Sequence, residues 1–146
     1  MFNKVGDFHE KFGLERVPEF FHPLSVLVRT IPPPAVKLDP ELIKFRLRFL
    51  REELEEIEQG YRDGDLEQVA DGLVDLVYVA LGTAHLHRLP FNELFSAVHE
   101  ANMKKVRAQS SADSKRGSFY DVVKPDGWQK PDVAQILKDH GWNPKD

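Results

Sequence analysis

No cysteine occurs among the 146 residues. Disulfides, thiolate metal ligands and cysteine nucleophiles are therefore excluded, which is compatible with a reducing compartment. Alternating apolar and polar residues of the strand type are also missing, so no β pattern competes with the helical ones. The longest apolar-rich run, Leu73 to Leu86, is interrupted by Asp75 and is shorter than the roughly 20 residues of a membrane span. The opening segment MFNKVGDFHEKFG lacks the apolar stretch of a secretory leader. The expectation is a soluble protein with no membrane partner, placed in the cytoplasm, or in the host cytoplasm if the chain is viral. A dense positive face is lacking too. The net charge is −4 with acids and bases interspersed, which argues against duplex nucleic acid as a partner.

Helical periodicity dominates what is present. With 41% apolar residues, the chain can form one core, and residues 1–146 read as a single domain. Asp7 to Phe12 suits a short helix with Phe8 and Phe12 on one face and Gly13 as its stop. An N-terminal arm over residues 1–38 is extended beyond that helix, because Pro18, Pro23 and Pro32-Pro33-Pro34 break it repeatedly. Asp39-Pro40 is a helix start, and Ile43, Leu47, Leu50, Leu54, Ile57 and Tyr61 form an apolar stripe that ends near Gly60 to Gly64. Asp65 caps a third helix from Leu66 to about His87, apolar on nearly every side between Leu73 and Leu81 and so expected to be central and buried. Pro90 opens a fourth, with Phe91, Leu94, Phe95, Val98 and Met103 facing inward. Residues 106–130 contain Gly117, Pro125 and Gly127 and read as a polar loop. A last helix runs from Pro131 to Asp139, with Gly141 as its stop. The fold class is thus all-α, a bundle of four to five helices, whose long apolar stripes are expected to be completed by oligomerisation.

Chemistry concentrates in acidic residues. Glu52, Glu53, Glu55, Glu56 and Glu58 could be an ordinary solvated helix face. Their phase suggests more, since Glu53 and Glu56 border the apolar stripe, while Glu52 and Glu56 also share a face. Asp75 is sharper, because an unpaired carboxylate in an apolar helix must be protonated, paired or bound to a cation. Asp71 lies one turn earlier. A cation between two acidic helix faces reconciles them, and all-oxygen ligands favour Mg²⁺ or Mn²⁺. A di-iron carboxylate centre would require Glu-x-x-His, which none of these glutamates provides. His85 and His87 point to different faces and read as structural or surface residues.

Glu52-Glu53-Leu54-Glu55-Glu56 resembles the Glu-Glu-x-x-Glu motif of the MazG-type all-α nucleoside triphosphate pyrophosphohydrolases. Their second motif, Glu-x-x-Asp, is matched at Asp75, whereas Gly72 stands where the glutamate belongs. The likeness continues through Leu76 to Ala84, His99 to Lys105, and Lys124-Pro125-Asp126-Gly127-Trp128, and covers most of residues 8–137. The resemblance implies a MazG-like bundle that hydrolyses a (deoxy)nucleoside triphosphate, such as dUTP or dGTP, to monophosphate and pyrophosphate. It implies Mg²⁺, replaceable by Mn²⁺, held by Glu52, Glu53, Glu56 and Asp75, with Asp71 as a substitute ligand and Glu52 or Glu53 as general base. Asn102, Lys105 and Lys124 are implied substrate contacts, the loop over residues 106–130 is implied to lie near the site, and Phe8 and Phe12 read either as part of the base pocket or as core. Trp128 is expected to anchor its loop. Related proteins form homodimers or dimer-of-dimers tetramers. The competing readings are phosphoribosyl-ATP hydrolysis and a non-catalytic helical interaction module.

Overall fold

The computed structural model describes residues 2–14 and 35–143. Five helices account for most of them, as expected: α1 Phe2–Lys11, α2 Pro40–Asp63, α3 Leu66–Leu86, α4 Phe91–Met103 and α5 Val133–Asp139. The proline-rich stretch of the expected arm lies outside the described residues.

Local chemistry explains the boundaries. The Asp39 carboxylate accepts from the backbone amides of Glu41 and Leu42 at 3.1 and 2.9 Å, ahead of Pro40 in the first helical position. At the other end of α2, Gly64 adopts φ 69°, a left-handed conformation that only glycine takes at little cost, and its amide caps the last turn. Asp65 immediately starts α3 by accepting from Glu67 and Gln68. Two residues thus join two long helices, which must run back along each other.

This antiparallel hairpin is the centre of the fold. Along its seam Gly60 meets Val69, Gly72 meets Ile57 and the backbone of Glu53, and Gly82 meets Arg46. α1 lies on the outside of α3, burying Val5 and His9, and the Phe2 ring stacks on Phe91 with centroids 5.3 Å apart. α4 packs on α5, joined by His140, which stands 3.1 Å from Glu93, and hardly touches the hairpin.

Several expectations are corrected by this arrangement. The first helix starts at Phe2, not Asp7, and the last at Val133. The loop after α4 is not featureless: β1, Val106–Arg107, pairs antiparallel with β2, Val122–Val123. Only part of the expected apolar stripe of α2 is covered. Its buried row is Arg46, Glu53, Ile57 and Gly60, while Leu47, Leu54 and Tyr61, about 100° further round, are exposed. α3 is not enclosed either, since Leu73, Val74 and Val77 face outward. On α4, Phe95, Val98 and Met103 are exposed rather than inward. The physical reason is common to all three: periodicity identifies an apolar face but not whether the same chain covers it.

At 21 residues α3 is longer than the apolar run within it, and by length and composition alone it would pass as a membrane span. The centre of a helical core has the same character, and α3 packs lengthwise on α2.

Candidate active site

The hairpin brings Glu53 and Asp75 to one level, with Glu52, Glu56 and Asp71 near enough to repel Glu53. Antiparallel pairing sets Gly72 against Ile57 and Val79 against Arg46, so Glu53 and Asp75 come to the same level. Glu53 is the buried member, 7% exposed, because it shares the seam row of α2. Asp75 is exposed, contrary to the expectation that its apolar neighbours would bury it, because Leu73, Val74 and Val77 are themselves uncovered. Glu52, Glu56 and Asp71 are exposed as well.

Burial pushes the Glu53 carboxyl above the usual carboxylate range, and repulsion from Asp75, Glu56, Glu52 and, last, Asp71 pushes it further. Every charged group bearing on it is acidic. Among the described residues no basic side chain pairs with Glu52, Glu53, Glu56, Asp71 or Asp75. The cluster therefore carries uncompensated negative charge, and its donors are all oxygens, the set that suits a hard divalent cation. As the side chains lie, no three among the described residues stand close enough to hold a metal ion. Long glutamate side chains can be drawn together by rotamer changes at the exposed positions.

Gly72 accounts for the departure from Glu-x-x-Asp. A Cβ there would lie 2.9 Å from Ile57 Cγ1, so this position faces α2 too closely for any side chain. Asp71 points elsewhere and bears on Glu53 least of the four neighbouring acids.

Two further groups of expected residues are found apart from this cluster, one between α1 and α3 and the other at the end of α4. Phe8 packs edge-on against Tyr78, with centroids 5.5 Å apart, and Phe12 lies 4.7 Å from Phe8. Tyr78 is one turn beyond Asp75 on α3. A groove of about 280 Å³, lined by Lys4, Val5, Leu73, Val74, Val77, Tyr78 and Leu81, opens beside it. An aromatic wall and an apolar groove next to charged groups is the usual make-up of a small-ligand site. Lys105 and Lys124 meet at Trp128, their Nζ atoms 5.8 and 4.5 Å from its ring centroid. The indole N–H of Trp128 donates to the Ala101 carbonyl at 2.7 Å, which anchors the loop to α4 as expected. Asn102 is exposed on the last turn of α4.

The sequence reading missed Arg46 and His9, both buried at the other end of the hairpin. Arg46 donates to Thr83 Oγ1 at 3.0 Å and to the Val79 carbonyl at 2.6 Å, and burial holds its guanidinium below its ordinary value. Gly82 leaves room for both: a Cβ there would come 2.7 Å from His9 Nε2 and 2.9 Å from Arg46 Nη2. For Arg46 the spacing was the available signal, since it is seven residues before Glu53 and so shares its face.

The sequence pattern of phosphoribosyl-ATP pyrophosphohydrolase matches residues 25–102, more than half of the chain and the whole of the acidic hairpin. The chain belongs to this family. Phosphoribosyl-ATP pyrophosphohydrolases are all-α proteins of the MazG-like superfamily, and they cleave phosphoanhydride bonds. The chain is accordingly a nucleotide pyrophosphohydrolase, which sets aside the non-catalytic interaction module. No curated protein matches it in a sequence search. The family match ends at Asn102, so Lys105, Lys124 and Trp128 lie beyond it.

Proposed function

We propose that the protein hydrolyses a (deoxy)nucleoside triphosphate to the monophosphate and pyrophosphate, with dUTP or a purine such as dGTP as substrate. The observation that carries this reading is the buried Glu53, ringed by acids and lacking any basic neighbour that would neutralise it. Such a cluster repels a triphosphate unless cations intervene. Glu52, Glu53, Glu56 and Asp75 would hold Mg²⁺ or Mn²⁺, with Asp71 as an outer contributor, and the metal would supply charge neutralisation and a more acidic water.

The chain's own groups do the rest. A glutamate takes the proton of the attacking water, whose oxygen bonds to the α-phosphorus as the bond to the pyrophosphate oxygen breaks. Glu53 suits the base better than Glu52, because it is buried in the seam between α2 and α3, where its position is fixed, while Glu52 is exposed to solvent. Lys105, Lys124 and Asn102 contact phosphate and sugar. Phe8, Phe12 and Tyr78 form a wall for the base beside the apolar groove.

The family match supports a second reading, hydrolysis of phosphoribosyl-ATP, which breaks the same kind of bond with the same carboxylates. Pyrophosphate release is measured over the common dNTPs and phosphoribosyl-ATP, with and without Mg²⁺, for the wild type, Glu53→Gln and Asp75→Asn. Metal-dependent release from a dNTP, reduced about 100-fold or more in both variants, is expected. Turnover of phosphoribosyl-ATP alone would transfer the assignment to the second reading, and full activity in either variant would refute the site. We also propose that the protein works as a homodimer or dimer of dimers in the cytoplasm, since apolar faces on α2, α3 and α4 are left uncovered by the single chain.

A further inference from the structure

We propose that the β1–β2 ladder and the loop joining its strands form a binding strip for single-stranded nucleic acid, with cations along its middle and aromatic rings at both ends. The inference is independent of which nucleotide the enzyme hydrolyses.

Charge is segregated along this chain. The connection between α4 and α5, residues 104–132, holds seven basic and four acidic residues, whereas the rest of the chain holds 13 basic and 20 acidic ones. The net charge of −4 therefore hides a local excess of +3. Part of that excess is gathered on one side of the ladder. Arg107 stands opposite Val122 in the antiparallel register, and opposite residues share a face. Residues two apart on an extended chain point the same way, so Lys105 joins the face of Arg107 and Lys124 that of Val122. The approach of both lysines to the one Trp128 ring fits this placement. Arg107 and Lys124 are exposed, and among the described residues none of the three cations pairs with a carboxylate.

Rings flank the cations. At one end the Trp128 indole is fixed by its N–H bond to the Ala101 carbonyl. At the other, just before β2, Phe119 and Tyr120 lie against each other with centroids 4.2 Å apart, and Tyr120 is 81% exposed. Asp121, the acid beside this pair, is neutralised by Arg116 at 2.7 Å, and its carbonyl accepts from the Ala108 amide, which ties the pair to the end of β1. From position 120 to 124 the strip runs about 13 Å, and Lys105 and Arg107 stand about 7 Å apart along it. That is wider than the gap between neighbouring phosphates of one triphosphate and close to the gap between successive phosphates of an extended strand. A triphosphate held by the two lysines leaves Arg107 and the exposed ring pair idle, whereas a strand of two or three nucleotides engages them all. A duplex fits poorly, because its bases stack on one another and offer no free face to Tyr120.

Fluorescence anisotropy with the full-length protein is the test. The probes are labelled oligothymidine and oligouridine of about 12 nucleotides and a duplex of the same length, at about 50 and 200 mM salt. Both single strands should bind more tightly than the duplex, and their affinity should fall about 20-fold between the two salt concentrations, as for three phosphates neutralised on a single strand. The tighter of the two identifies the polymer as DNA or RNA. Tyr120→Ala should weaken binding about tenfold and leave the salt response unchanged, because it removes stacking and no charge. Tyr120→Phe, which keeps the ring, should bind like the wild type. Arg107→Gln should cut the salt response to about sevenfold, the value for two phosphates. Circular dichroism and unchanged pyrophosphate release show that the variants are folded. No single-strand binding at the lower salt, equal binding of the duplex, or a folded Tyr120→Ala that binds like the wild type would each overturn the proposal. Inorganic polyphosphate that displaces the strand equally well from wild type and Tyr120→Ala would reduce the strip to plain charge and overturn it too.

Discussion

Glu53 concentrates the conflict between folding and chemistry in this protein. Its pKa is raised in the folded state, first by burial and then by Asp75. A carboxyl of this kind adds to stability while protonated, and that contribution is lost as the pH rises from below its unfolded value through its folded one. Glu53→Gln removes the ionisation, so in metal-free buffer it should melt several degrees higher than the wild type at pH 8, with the difference disappearing near pH 4. Thermal melts in chelator at the two pH values check this. A variant that is less stable at pH 8 would mean that the glutamate is not repelled there. Gly72 sets the opposite kind of limit. Adding one methyl group brings an atom to 2.9 Å from Ile57 Cγ1, in a seam closed by backbone as well as side chain. Gly72→Ala should cost about 1–3 kcal/mol by urea denaturation. Restoring the family's glutamate at 72 should therefore unfold the hairpin rather than improve the site. The motif Glu52-Glu53-x-x-Glu56 was legible in the sequence, and so was Asp75. Which carboxylate is buried was not, because Asp75's apolar neighbours suggested burial that the chain by itself does not provide.

Helix boundaries were written locally. Asp39, Gly64 and Asp65 act through bonds to residues two to four positions away, and a reader of the sequence can place each of them. Contacts between elements needed the structure, as α4 and α5 illustrate. His140 bonds to the Ile136 carbonyl and stands 3.1 Å from Glu93, and both raise its pKa, the carbonyl bond being the largest single cause. A histidine raised in this way stabilises the folded form fully below its unfolded pKa and loses that effect as the pH rises through its folded one. The α4–α5 contact should loosen from mildly acidic toward alkaline pH. NMR titration of His140 should give a pKa above that of a free histidine, lowered but not abolished by Glu93→Gln. An unchanged value in that variant would mean the pairing does not persist in solution. The loop before α5 obeys similar rules: the Asp121 carboxylate accepts from Ser114 and Arg116, which holds its pKa low and folds residues 114–121 onto the short β1–β2 ladder. Glycine and proline content pointed to loop there, whereas the Asp121 contacts that give it shape join side chains five and seven residues apart.

For the molecule as a whole, the acidic hairpin carries repelling charges that a bound cation, as proposed above, would relieve. Millimolar Mg²⁺ should raise the melting temperature of the wild type by several degrees, by an amount that grows with concentration, and raise that of Glu53→Gln or Asp75→Asn much less. A shift that is equal in all three, or absent, would remove the metal assignment. The amino-acid sequence alone determined that the protein is all-α, where both ends of α2 and the start of α3 lie, and which acids share a helix face, because caps, periodicity and spacing act over one or two turns. It also carried the family pattern over residues 25–102. Tertiary structure alone decided that Glu53 is inside and Asp75 outside, that position 72 lies tight against Ile57, and that two lysines nineteen residues apart share one tryptophan. Those outcomes depend on how closely α2 and α3 approach and on where α4 goes. Such distances are set by packing between remote segments, and no local pattern encodes them.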